Sequence, residues 1–309
     1  MLYIGLDIGT TGSKATAINL DGEVKAFSTC EYATVRTNPG WAEIQPELVW
    51  QAVEKIIQEV ATKAREPIDA IAITSLGESF ILLDKNDRVL SNSMLFADIW
   101  GTEEIDDILG KIDAQRLFDL TGMPINSMYS LNKWLWLKKH MTGILDRTEK
   151  VFFFADFIGY MLSGCRCVDY SLASRTLLFD HRKRNWSAPI LGLFNIQASF
   201  LSEPVSSGTV IGKVSPHIAE ALGLRKDTRI VAGGHDQVCA ALGAGVLKYG
   251  QCVDGIGTSE CITTMISNSS DPQFMRENNY CMERPGRQIC YFGIQYHRRL
   301  GAALVQGYF

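Results

Sequence analysis

Between Leu2 and Cys30 the chain is written as three consecutive strands. "LYIGLDIG" comes first, "KATAINL" follows, Asp21-Gly22 supplies a hairpin turn, and "EVKAFSTC" runs back. Strands joined by connections this short pair antiparallel. The period then changes. Leu48, Val49, Val53, Ile56, Ile57 and Val60 recur at helical spacing after Pro46, which suits a first-turn position. "IDAIAITS", residues 68–75, returns to a strand. A meander followed by helix and strand predicts an α/β fold. Its mixed five-strand sheet is flanked by helices, with the later strands joining in parallel.

"FILLDKNDRVLSNSMLF" reads as a further hairpin, turning near Asn86-Asp87. Residues 103–165 look mostly helical, with a break near Thr121-Gly122-Met123-Pro124. Within them Val151–Leu162, "VFFFADFIGYML", is expected as a buried helix, because a run this short that contains Asp156 cannot span a bilayer. "TRIVAGGHDQVCAALGAGV" predicts a strand, a double-glycine turn and a helix of small residues. "GQCVDGIGTSECITTMIS" predicts strand, turn and strand. Its "IGTSECITT" faintly repeats the "IGTTGSKAT" of residues 8–16.

A chain of 309 residues divides into about two domains. The net charge of −4 argues against a nucleic-acid partner but not against a small anion held by backbone amides. The eight cysteines form no C-x-x-C pair. Met1 leads directly into the first strand without a signal segment. Reduced thiols in a cytoplasmic protein that binds no membrane are therefore expected.

Glycine-rich turns after a strand usually receive phosphate, yet this one carries Asp7. "IGLDIGTTGSKAT" fits neither the P-loop nor the dinucleotide pattern. A bare carboxylate beside a phosphate repels it. A Mg²⁺ ion between them reverses the sign, since it takes oxygens from both and keeps much of its water. Asp7 thus reads as a metal-side residue. Gly9 and Gly12 allow close backbone approach, Thr10, Thr11 and Ser13 offer hydroxyls, and Lys14 offers charge. The plain alternative is a hairpin whose aspartate caps a turn.

Asp236 follows the second glycine-ended strand. It reads either as the N-cap of the next helix or as a general base that takes a proton from an attacking hydroxyl. His235 reads as its packing neighbour, because no second metal ligand stands at a suitable spacing. In "MYSLNKWLWLKKH" the apolar face is Leu131, Trp134, Leu135 and Leu137, with Lys133, Lys138 and Lys139 expected in solvent.

Taken together these segments resemble the FGGY family of carbohydrate kinases, within the ribonuclease-H-like, actin-like ATPase superfamily. "GLDIGTTGSKA" resembles its first phosphate motif, and "GWAEIQPELVW" the segment before its first long helix. Met128, Ser130, Lys133, Trp134, Trp136, Leu137, Lys139 and His140 fit a family signature. "AGGHDQVCAALGAG" resembles the segment bearing the catalytic aspartate, and "GIGTSE" the second phosphate motif.

The resemblance implies ATP-dependent phosphorylation of a sugar or polyol. Asp236 would be the base and Asp7 the residue at Mg²⁺. Gly9, Thr10, Thr11, Lys14, Gly257 and Thr258 would lie at the nucleotide phosphates. Glu78, Asp98 and Gln237 would contact the sugar. Asp7 and Asp236 would face each other across a cleft. Gly77-Glu78 stands where members acting on glycerol carry Arg-Glu, which disfavours glycerol. Residues 1–245 would form the first lobe, on the sugar and phosphate side, and 246–309 an incomplete nucleotide-side lobe of similar design. The family's late adenine loop has no counterpart here. That leaves a sugar-binding remnant with weak or absent transfer as the alternative expectation. A homodimer stays open.

Overall fold

The computed structural model describes residues 1–36, 41–95, 101–248, 250–256, 259–266 and 290–297. The chain opens with strands β1 (Leu2–Ile8), β2 (Gly12–Ile18), β3 (Val24–Glu31) and the short β4 (Glu43–Ile44). Helix α1 (Pro46–Ala64) leads to β5 (Ile68–Ser75), β6 (Phe80–Leu83) and β7 (Ser93–Met94). Next come α2 (Glu104–Leu109), α3 (Ala114–Thr121), α4 (Ser130–His140), β8 (Lys150–Phe153) and α5 (Phe154–Ser163). They are followed by β9 (Cys167–Asp169), α6 (Tyr170–Ser174), β10 (Phe179–Asp180), β11 (Asn185–Trp186) and α7 (Ala188–Phe194). Strands β12 (Glu203–Val205) and β13 (Val210–Lys213), helix α8 (Pro216–Leu222), β14 (Arg229–His235) and α9 (Asp236–Gly243) complete the main body. Then β15 (Cys252–Ile256), β16 (Ser259–Ile266) and β17 (Cys290–His297) form a separate three-stranded antiparallel sheet.

The main sheet is mixed, with strand order β13-β14-β5-β1-β2-β3. The first three strands are the expected antiparallel meander, and β5 and β14 join in parallel. It has six strands rather than five: β13 adds an antiparallel edge to β14. Pro46 opens α1 at its first position, as its fixed φ and missing N–H allow. Val49, Val53, Ile56, Ile57 and Val60 of α1 are buried over β2 and β3. Leu2, Ile4, Leu6 and Ile8 of β1 point into that same core, alternating with Tyr3, Gly5 and Asp7 on the other face.

Three local expectations are corrected. The hairpin at Asn86-Asp87 folds back only as far as a bridge between Leu83 and Val89. Strand β6 instead takes β8 as its partner, and β7 takes β4. Val151–Phe153 therefore belong to a strand, and the buried helix begins at Phe154, where the Asp156 carboxylate accepts the Phe153 N–H at 2.6 Å. Lys133 is buried rather than solvated; its ammonium donates to the Glu78 carbonyl at 3.3 Å.

Candidate active site

Strand β5 lies between β1 and β14, and all three run in the same direction. Their carboxyl ends meet at one edge of the sheet, where open α/β sheets place ligands. Asp7 pairs across with Thr74, and Thr74 with Gly234. Paired residues share a face, so Asp7 and Thr74 stand on the face away from α1. Helix α9 packs against β5 and β14, and the Thr74 hydroxyl donates to the Gly234 carbonyl at 2.6 Å.

The double glycine is not a turn. Strand β14 runs through it with a bulge at Gly233 and reaches His235, which pairs with Ser75. A Cβ on Gly233 would lie 2.1 Å from the Ile73 carbonyl oxygen, so only glycine fits there. The helix starts at once: His235 is the N-cap and Asp236 the first helical residue, not the cap. Asp236 Oδ1 accepts the Gln237 N–H at 2.7 Å.

The turn between β1 and β2 is closed by the Gly9 N–H donating to the Gly12 carbonyl at 3.0 Å. Its other carbonyls are engaged from β3 and beyond. The Tyr32 hydroxyl donates to Gly9 O at 2.6 Å, the Tyr32 N–H to Thr11 O at 3.1 Å, and Thr34 Oγ1 to Thr10 O at 3.4 Å. The carbonyl side of the turn is thus occupied, with Thr11 and Lys14 exposed.

Both carboxyls hold their protons more tightly than usual. Burial raises Asp7, the nearby Asp236 carboxylate raises it further, and Lys14 partly opposes this. Burial pushes Asp236 up to about 6, against the Gln237 N–H and the Arg175 charge. Tyr32 is raised to about 12, mainly by burial, with the Asp7 charge adding. Burial also raises the Cys239 thiol to about 12, and Asp169, Asp236 and Asp7 all contribute. These groups therefore share one neighbourhood at the end of β5.

Glu78 is buried, at a left-handed φ of 61°, and its carboxylate is ion-paired with Arg175. The Arg175 guanidinium lies 5.2 Å over the Tyr129 ring, and the Ser130 hydroxyl donates to the Glu78 carbonyl at 2.9 Å. His235 is buried against this group. Burial and Arg175 lower its pKa to about 4, against the pull of Glu78. Nothing in the sequence marks Tyr32 or Arg175, because neither belongs to a motif or a spacing. Asp98, Gly257 and Thr258 lie outside the described residues. Among the described residues no group of three or more His, Cys, Asp or Glu side chains is placed to hold a metal ion.

A model of the N-terminal domain of the FGGY family of carbohydrate kinases matches residues 2–243. The chain belongs to this FGGY family. It is similar to xylulose kinase of Bacillus subtilis, with 30% identity over 262 residues, which are 84% of this chain and 52% of that protein. It is 28% identical to gluconokinase of the same organism over 98% of its own length and 57% of the relative's. This FGGY chain thus spans about half the length of the curated relatives it matches. Among solved structures, ligand-bound xylulose kinase from Lactobacillus acidophilus superposes with a TM-score of 0.86 at 27% identity. The match covers 94% of this chain and 59% of that one. Gluconate kinase from the same organism gives 0.86 at 26%, over 95% and 59%. The ribonuclease-H-like, actin-like ATPase fold follows.

Proposed function

We propose that the chain supplies the sugar side of an ATP-dependent carbohydrate kinase, with Asp236 as the general base. The observation that supports this is the pair of raised carboxyls: Asp7 near the end of β1, raised in part by Asp236, and Asp236 at the start of α9 directly after β14, with β5 between the two strands. A base whose pKa lies near 6 is ionised at neutral pH yet holds an incoming proton better than an ordinary aspartate. Asp236 takes the proton of the sugar hydroxyl as that oxygen attacks the terminal phosphorus of ATP. Such transfers depend mainly on positioning and charge stabilisation. The Gly9–Lys14 turn cradles the phosphates with its amide edge, the Thr10 and Thr11 hydroxyls and Lys14, while Gly257 and Thr258 approach from residues 246–309. Glu78, Asp98 and Gln237 face the sugar.

A divalent cation would offset the Asp236 charge that raises Asp7. Mg²⁺ would be held at Asp7 through water and would offset the phosphate charge there. The relatives named above act on xylulose or gluconate, and a sugar or polyol is the proposed substrate class. The test is a coupled ADP-release assay over a panel of ketoses, aldoses and polyols, beside thermal shifts on the same protein. Asp236→Asn is expected to lower turnover by about 10²-fold or more with little change in sugar affinity. Asp7→Asn should instead abolish the melting-temperature rise given by Mg²⁺ with ADP. Full turnover in Asp236→Asn would overturn the assignment. A sugar-dependent shift without ADP release in the parent would leave binding alone.

A further inference from the structure

We propose that Ser130 and Lys133, on the first turn of α4, are positioning residues for Glu78. They fix its backbone and so aim its carboxylate. Their role rests on Glu78 contacting the sugar, as proposed above.

Glu78 is not a glycine, yet its φ is 61°. A residue with a side chain stays in that left-handed region only where its surroundings fix it. Here its carbonyl is the fixed point. The Ser130 hydroxyl donates to it at 2.9 Å and the Lys133 ammonium at 3.3 Å. All three residues are buried. An ammonium is costly to bury unless acceptors meet it, and a second acceptor is the Met94 carbonyl at 3.5 Å. Lys133 therefore ties the entry to β6 to the end of β7. Ser93, the other residue of β7, strengthens the tie: its hydroxyl donates to the Phe80 carbonyl at 2.7 Å.

The carboxylate end of Glu78 is referred to the same turn of helix. Arg175 reaches Oε1 of Glu78 through both Nε and Nη2. Its guanidinium lies over the ring of Tyr129, at the head of α4. The carbonyl of the next residue, Thr176, accepts the Leu131 N–H at 3.1 Å. Residues 129–133 thus hold Glu78 twice, at its carbonyl directly and at its carboxylate through Arg175. Oε1 serves Arg175, and Oε2 is the oxygen that meets a sugar hydroxyl. Loss of either donor at the carbonyl lets the backbone at residue 78 relax and turns the carboxylate out of its pose, although no group that touches the sugar has been removed.

The first test needs no ligand. In the 309-residue protein, amide hydrogen exchange at residues 76–80 should rise about tenfold or more in Ser130→Ala and in Lys133→Met, with α1 unchanged. Exchange at residues 76–80 that stays at the parent rate, or that rises no more there than in α1, would overturn the proposal. Ser130→Ala removes a single oxygen and keeps the test open should Lys133→Met not fold.

The second test reads the sugar. Xylulose and gluconate are titrated calorimetrically into parent and variants. For whichever binds the parent, each substitution should raise Kd about tenfold, the scale of one lost hydrogen bond. A lower melting temperature with Kd within about twofold of the parent would show a packing role alone and refute positioning. The third test is a cycle with Glu78→Gln. Once Glu78 has been replaced, adding Lys133→Met should change Kd by less than about twofold, because Lys133 acts through Glu78. Losses that multiply would count against it. Failure of the sugar reading is recognised separately, as a Glu78→Gln protein that binds the sugar as tightly as the parent. In that case, or if neither sugar binds the parent, the exchange at residues 76–80 decides the matter.

Discussion

Asp236→Asn should make the protein more stable at pH 8 while removing the proposed base. The carboxyl is raised from an ordinary 3.8 to about 6, first by burial. A carboxyl raised by folding binds its proton more tightly in the folded than in the unfolded state. Stability therefore falls as pH climbs through the window from 3.8 to about 6, and the full penalty applies above it. For a fully enclosed group that span corresponds to about 3 kcal/mol. The Asp236 side chain is 35% open to solvent, and screening reduces the figure to about 1–2 kcal/mol. Asparagine carries no charge at any pH and can still accept the Gln237 N–H through Oδ1. Its substitution also relieves the charge that raises Asp7. The expected gain is about 2–6 °C in melting temperature at pH 8, shrinking to nothing near pH 4. Differential scanning calorimetry of parent and variant from pH 4 to 8 measures it. Equal stability at pH 8, or a gain that persists unchanged at pH 4, would refute the reasoning.

Three other substitutions probe the frame around the site. Gly233→Ala should cost about 3 kcal/mol or more, because its Cβ meets the Ile73 carbonyl, a backbone atom that cannot step aside; urea denaturation reads this. Arg175→Met should cost about 3–5 kcal/mol by leaving the Glu78 carboxylate buried without its counter-charge, and adding Glu78→Gln should recover much of that in the same titration. Burial raises the Asp156 carboxyl to about 8 against hydrogen bonds from Ser202 and Phe153. Stability should thus fall as pH climbs from 3.8 to about 8 and level off above it, and Asp156→Asn should flatten that fall in urea midpoints taken at pH 5 and 8.

Much of this fold is local and so could be read from the sequence. The meander, Pro46 at the head of α1 and the return to β5 follow from alternation, turn residues and helical spacing, which neighbouring residues impose on one another. Strand β13 is different. "VIGK" has no period of its own and becomes a strand because β14 offers it an edge. Lys133 sits where helical spacing puts it among surface lysines, yet the Glu78 and Met94 carbonyls draw its ammonium inward. The Gly233 bulge looks like a turn until Ile73 is known to pass beneath it. Asp7 and Asp236 stood out as carboxylates beside glycines. Tyr32 and Arg175 reach the same place only through tertiary packing, from segments that carry no mark of it, whereas His235 could be read as the neighbour of Asp236.

Strand β5 acts as a spacer gauge. Hydrogen-bonded strands lie about 4.8 Å apart, and β5 alone separates β1, which carries Asp7, from β14, which leads directly into Asp236. The distance across which a hydroxyl, a phosphorus and a cation would be lined up is therefore counted in whole strand intervals, about two of them, rather than left to loops. The spacing of β1 and β14 does not drift as the outer helices change. The residues proposed to contact the sugar are free to vary along those helices and loops, while the spacing of the two strands is carried by the Thr74 rung between them.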